Sequence, residues 1–250
     1  LGAGLRFEDI APQISFFTNV KKNLLEEAAK LRVARRIWAQ IVKEGFGVSH
    51  ERSQKLRMQT YTGGSDLIYA KPQLNIARDA VRTLAAVLGG PQGTNTTSFD
   101  AAITIPTPLS QQIAIDTPYI VLLEKSLSKI VDPLGGSYYL ESLANQLERQ
   151  VWEELRWIAD CPSYQHALAK MHQNLEEEAY REQKQEESGR RKVVGKNCSL
   201  EGGALYPEVP LFVPPGDTGK REISRLAYLR AFKEKRSREQ VKTALQELRR

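Results

Sequence analysis

Three short strand candidates alternate with long helical runs in the first half of the chain, and this cadence limits the fold more than any other feature. Residues 14–17, Ile-Ser-Phe-Phe, form a short apolar run after Pro12, as a buried strand would. Asn19 then offers an N-cap. Leu24, Leu25, Ala28, Leu31, Ile37, Trp38, Ile41 and Val42 make one apolar stripe at helical spacing, with Gly45 as a stop. Residues 56–61 are the second strand candidate, ended by Gly63 and Gly64. Residues 75–88 return to the helical period and close at Gly89 and Gly90. Residues 92–99 are a polar strand-loop rich in Thr, Asn and Ser. Residues 109–127 are helical, with Pro118 placed to kink or split them. Strand, helix, strand, helix, strand is the rhythm of a parallel α/β unit. Three such units are too few to close an eight-stranded barrel. The pattern predicts a half-barrel that needs strands from elsewhere.

From Tyr139 onward the chain changes character. Residues 140–158 and 164–187 read as two helices. The second is very polar, with Glu176, Glu177, Glu178, Glu182, Glu186 and Glu187 beside Arg181 and Lys184. Gly135-Gly136-Ser137 after Asp132-Pro133 has the composition of a phosphate nest. It lacks the Gly-Lys-Ser/Thr ending of a P-loop, so a helix-capping turn is the better reading. Val193-Val194-Gly195 is a small apolar return. Four segments are therefore expected: a half-barrel over 1–138, a helical extension packing on it over 139–200, a Gly/Pro-rich linker over 201–219, and a basic helical tail over 220–250 broken near Ser237.

Composition excludes several function classes. Of 250 residues, 41% are hydrophobic and 26% charged, as in ordinary soluble proteins. No apolar run approaches the ~20 residues of a membrane span, so no membrane partner is expected. These residues show no basic-then-apolar pattern of a leader, so secretion is not expected. Cys161 and Cys198 lie far apart, which suits two free thiols in a reducing cytoplasm. His50, His166 and His172 lack the spacing of a helical metal pair, so no metal site is expected. The formal net charge of +6 resides in residues 217–250, which hold eleven Lys or Arg against five Asp or Glu. A basic tail can meet nucleic acid. Without a stacking platform or recognition motif, a solvated helix pair is the better reading.

The motifs LRMQTYTGGSDL (56–67), LGGPQ (88–92), SFDAAITIPT (98–107) and VDPLGGSYYLE (131–141) carry a resemblance. With FEDIAPQISFF (7–17), KLRVARRIWAQIVKE (30–44) and SGRRKVVGKN (188–197), they resemble the acyl-CoA mutase family, methylmalonyl-CoA mutase and its relatives, over nearly the whole chain. The resemblance implies the C-terminal half of a (β/α)8 TIM-type barrel followed by an α-helical extension. It implies an oligomeric isomerase assembly in which adenosylcobalamin sits over the barrel's C-terminal mouth and generates a radical. Partners would be a chain or domain with the N-terminal half-barrel, a cobalamin-binding domain or subunit, and acyl-CoA.

The resemblance also implies site residues, and several depart from the family pattern. Gln13 stands where an Arg can pair with CoA phosphates, and Ser15 is retained. Gln59 replaces a His; it can donate to a thioester oxygen but cannot carry a proton. Gln92 matches a family Gln. These four are the acyl-CoA candidates. Tyr61 replaces a Gln and would intrude over the corrin. Thr97 replaces an Asn and Ala101 a Glu that grip the adenosyl ribose, and Asn95 replaces a His. Tyr61, Thr97 and Ala101 are the cofactor-facing candidates. The cobalt-ligating Asp-x-His-x-x-Gly signature does not occur in these residues. No catalytic residue is assigned, and no cofactor is expected on this chain alone. Ser15, Gln59 and Gln92 are expected to converge on one mouth, with Tyr61 at its rim. The altered positions imply a substrate unlike methylmalonyl-CoA or a non-catalytic pairing role; the other reading is a degenerate scaffold or interaction protein without CoA chemistry.

Overall fold

The computed structural model describes residues 4–203, 206–211, 218–235 and 246. The chain divides into two compact units, Leu1–Leu211 and Phe212–Arg250.

The first unit is mixed α/β. Its short helix α1 (Phe7–Ile10) runs into a 3-10 turn at Ala11–Gln13. Three parallel strands follow in sheet order β1-β2-β3: Phe16–Asn19, Met58–Tyr61 and Gly93–Asn95. The long helix α2 (Leu24–Gln40) and the single turn α3 (Glu51–Gln54) join β1 to β2, and α4 (Leu74–Gly89) joins β2 to β3. Phe17 pairs with Gln59 and Gln59 with Gly93; two residues on, Asn19, Tyr61 and Asn95 end the three strands together.

The boundaries differ from the sequence reading for local reasons. Pro12 supports the 3-10 turn through Gln13, so β1 starts at Phe16 rather than Ile14. Asn19 closes β1, and Asn23 occupies the N-cap of α2. The stripe continues past Gln40, but the backbone widens to a π turn at Ile41–Gly45. The same happens beyond Pro118: α5 (Pro108–Tyr119) gives way to a π turn at Ile120–Glu124. Proline removes one helical N–H there, and the ladder re-forms with a longer step. The single turns α1 and α3 carry too few apolar residues to show periodicity.

One side of the sheet packs on α2 and α4. Val20, Leu31, Leu56, Met58, Ala85 and Ala86 form this core, with Trp38 against it. Gly89 makes the packing possible: a Cβ there would sit 2.5 Å from Leu31 Cδ1, far inside contact distance. Gly90 follows with φ 73° and caps α4 in the left-handed region. Arg35 then donates to the Gly90 carbonyl at 2.9 Å and to that of Gly89.

The outer side of α2 meets α6 (Tyr138–Asp160) in a second core of Ala29, Val33, Ile37, Leu140 and Ala144. Arg32 reinforces it by pairing with Glu141 at 2.8 Å and Asp132 at 3.0 Å. Ser137 caps α6, accepting from the Leu140 N–H at 3.5 Å, and Gly136 before it has φ 79°. The Gly-Gly-Ser segment is thus a capping turn.

α7 (Tyr164–Glu187) is mostly exposed and buries only Ala167 and Glu186. Glu186 pairs with Lys22 at 3.3 Å and Lys196 at 2.5 Å, anchoring the helix end. Val193–Gly195 leads into an isolated bridge between Val194 and Cys198. The second unit holds α8 (Thr218–Lys235); the expected break near Ser237 lies outside the described residues.

Candidate functional site at the C-terminal edge of the sheet

Strand alternation sorts the candidates by face. Phe16, Thr18, Met58 and Thr60 turn toward the helices. Phe17, Gln59 and Tyr61 occupy the opposite face, which is open at Phe17, 64% exposed, and at Gln59, while Tyr61 is half-buried. Ser15, two residues before Phe17, belongs to this face and is exposed. The Phe17 and Tyr61 rings lie 6.2 Å apart. Ser15, Gln59 and Tyr61 therefore share one open surface.

They do not share one end of it. Ser15 and Gln92 each directly precede a strand, at the N-terminal edge, and Gln59 is the second residue of β2. Only Tyr61 reaches the C-terminal edge. The expected convergence on one mouth is replaced by a track along the strand axis. Gln13 is exposed at the end of the 3-10 turn, earlier still.

Gln92 has a structural task. Its Oε1 accepts from the Met58 N–H at 2.6 Å, while its own N–H donates to the Met58 carbonyl at 3.1 Å. Side chain and backbone together clamp the start of β2.

The C-terminal edge opens on a cavity of about 480 Å³. Tyr61, Asn95, Thr97 and Ala101 line it from the sheet side, and Gln111, Ile115 and Tyr119 from α5. The structure thus brings the three cofactor-facing candidates together. Asp100, fully buried beneath, accepts from the Thr107 N–H at 3.2 Å and hydroxyl at 3.0 Å, which fixes the start of α5.

Thr97 is buried against Thr62. Its N–H donates to Thr62 Oγ1 at 2.8 Å, its hydroxyl donates to the Thr62 carbonyl, and it accepts from the Thr62 hydroxyl at 3.2 Å. The hydroxyl's only proton and one of its two lone pairs are thus engaged with Thr62. Ala101 presents only a methyl group. Adenosylcobalamin, the group the sequence resemblance implies, therefore finds no free side-chain donor at these two positions.

Behind this clasp lies a buried charge pair that sequence reasoning missed. Arg82 Nη1 donates to the Gly63 carbonyl at 3.0 Å and to Asp79 Oδ1 at 3.1 Å. Asp79 is buried, and its second oxygen has no hydrogen-bond partner among the described residues. Burial pushes its carboxyl up to about 7, although Arg82 pulls the other way. Asn75, also fully buried, donates to the Ile68 and Phe99 carbonyls at 3.0 and 2.9 Å. It ties the loop after β2 to the loop after β3. All three sit on α4 at helical spacing, yet a polar residue's burial leaves no mark in periodicity.

Among the described residues no cluster of His, Cys, Asp and Glu could hold a metal, and no helix is long and apolar enough to cross a membrane.

The sequence profile of the family described as Methylmalonyl-CoA mutase matches residues 1–250. The chain is 37% identical over 199 residues to a methylmalonyl-CoA mutase of Escherichia coli, covering 79% of this chain and 28% of that protein. It is 35% identical to a methylmalonyl-CoA mutase of Rhizobium meliloti, over 99% of this chain and 34% of the relative. A 2-hydroxyisobutanoyl-CoA mutase large subunit from Aquincola tertiaricarbonis is 32% identical over 91% of this chain and 41% of its own length. The chain spans well under half the length of these relatives. With a match over its full length and a parallel α/β sheet, the chain belongs to the methylmalonyl-CoA mutase family.

Proposed function

We propose that the chain is the C-terminal half-barrel of an acyl-CoA mutase assembly and serves in a non-catalytic, pairing role. The observation that carries this reading is the uncovered sheet face. Parallel sheets are buried on both sides in nearly all proteins, whereas here Ser15, Phe17 and Gln59 are exposed. A chain or domain supplying the N-terminal strands would cover that face and pair the free edges of β1 and β3. Ser15 and Gln59 would then line the barrel interior, offering neutral hydrogen bonds to an acyl-CoA thioester or amide. A cobalamin-binding domain or subunit would complete the assembly.

The committed Thr97 hydroxyl and the Ala101 methyl favour pairing over adenosyl chemistry, so no reaction step is assigned to this chain. Its own residues bind, orient and exclude water. The test is co-expression with a protein carrying the first half of the barrel, followed by calorimetric titration with a CoA ester. A stoichiometric complex that binds the ester, with affinity lost in Gln59→Ala, supports the reading. If both chains stay separate and monomeric, the reading fails and a scaffold without CoA chemistry takes its place.

A further inference from the structure

A second cavity, of about 500 Å³, lies away from the sheet face. Three separate stretches of chain bring five cations to it: Lys22 after β1, Arg78 and Arg82 on α4, and Arg191 with Lys192 before the Val194 bridge. Asp66 is the single carboxylate in its wall. We propose that this cavity is a binding site for a phosphomonoester of mononucleotide size.

The ion pairs around the cavity leave positive charge in excess. Lys22 pairs with Asp66 at 3.4 Å and Glu186 at 3.3 Å. Arg82 pairs with Asp79 at 3.1 Å, Arg191 with Glu182 at 2.8 Å, and Lys196 with Glu186 at 2.5 Å. Four carboxylates thus serve Lys22, Arg82, Arg191 and Lys196. Arg78 and Lys192 have no ion-pair partner among the described residues. Arg78 donates only to neutral oxygens, Asn75 Oδ1 at 2.8 Å and the Val194 carbonyl at 2.6 Å. Burial, and the nearby Arg82 charge, lower its pKa. Arg78 and Lys192 thus have no paired carboxylate, and Asp79, raised to about 7, offsets Arg82 only in part, with Glu26 beside Asn23 on the acidic side; the positive surplus suits a phosphomonoester, which near pH 7 carries close to two negative charges.

The remaining wall fits the rest of such a ligand. Val81 and Val193 supply an apolar side for a ring or sugar. Asn23, the N-cap of α2, also lines the cavity, and its side chain turns to Glu26 at 2.6 Å instead of capping the helix. The first-turn N–H groups of this 17-residue helix thus have no side-chain cap, and their partial positive charge adds to the field. The site does not depend on the mutase reading, because none of its residues lies on the open sheet face or in the cavity below Tyr61.

Titration calorimetry on the full chain at fixed ionic strength tests it, with inorganic phosphate, adenosine 5′-monophosphate and adenosine as probes. Saturable binding of both phosphate probes is expected, with the nucleotide tighter than inorganic phosphate and adenosine without effect. Lys192→Glu, an exposed loop position, should weaken the nucleotide by at least roughly tenfold, as loss of a charge-assisted contact does. Arg78→Gln should do the same with an unchanged circular dichroism spectrum. Absence of saturable phosphate binding overturns the proposal. So does adenosine binding as tight as the nucleotide, or undiminished nucleotide binding in Lys192→Glu.

Discussion

Replacing Asp79 by Asn should change how stability responds to pH, and the direction follows from its surroundings. In the unfolded chain the carboxyl has its ordinary value of 3.8, and in the folded chain burial raises it to about 7. Between those values the folded state keeps a proton that the unfolded state has lost. Stability from this group is therefore fully present below pH 4 and falls as pH rises toward 7, at about 1.4 kcal/mol per pH unit. Over the roughly three-unit window the sum is about 4 kcal/mol, with the opposing pull of Arg82 at 3.1 Å already contained in the value of about 7. Other carboxylates act in the opposite sense: Glu182 and Glu186, held low by Arg191 and Lys196, contribute stability that is lost toward acid. The informative quantity is therefore the difference between variant and wild type. Urea unfolding at pH 4.5, 5.5, 6.5 and 7.5 should show Asp79→Asn gaining on wild type as pH rises. The offset at low pH compares two neutral side chains, carboxylic acid and amide; the slope reports the ionisation of Asp79. Parallel pH profiles for the two proteins would refute the reasoning and assign Asp79 an ionised state throughout.

Gln92→Ala should destabilise the chain by about 1–3 kcal/mol, because it strands the Met58 N–H at the start of β2; urea midpoints measure this, and an unchanged midpoint would mean the clamp is replaceable by water. The isolated chain should self-associate through its open sheet face and free strand edges, and a compact monomer in analytical ultracentrifugation would contradict this. Titration of the chain with adenosylcobalamin, followed by visible absorbance, should show no saturation at micromolar concentration, since Thr97 is closed on Thr62 and Ala101 has no acceptor. Thr62→Val should open that clasp and speed hydrogen exchange at the Thr97 amide; protection equal to wild type would show that the backbone alone holds the loop.

The order of strands and helices was legible because period is a local property. The apolar stripe of α2 and the Gly89-Gly90 stop of α4 both follow from one-dimensional spacing, and the structure holds them within a residue or two. Helix α7 runs over the expected residues because Ser163 caps it and Ser188 with Gly189 ends it. The π turns after Gln40 and Tyr119 were not legible, since a widened turn keeps the same apolar residues. Nor was the level of each candidate along the strands. Ser15 and Gln92 lie just outside β1 and β3, and a two-residue shift of a strand start moves a side chain from one end of the sheet to the other.

The two ends of the sheet face have diverged in chemistry for reasons visible in the side chains. Toward the N-terminal edge the surface still carries neutral donors and acceptors, Ser15 and Gln59, with no described partner for either side chain. At the C-terminal edge, apart from the exposed Asn95 at the cavity mouth, the polar atoms have turned inward. Thr62 and Thr97 satisfy one another, and Arg82 holds the Gly63 carbonyl. What faces the open side there is the ring of Tyr61 with Phe17 beside it. A surface with free hydrogen-bonding groups at one end and aromatic rings at the other can hold an extended amide-bearing chain and an apolar tip. At Thr97 and Ala101 that tip offers no free side-chain donor toward a ribose, and this asymmetry is what favours the proposed pairing role over adenosyl chemistry.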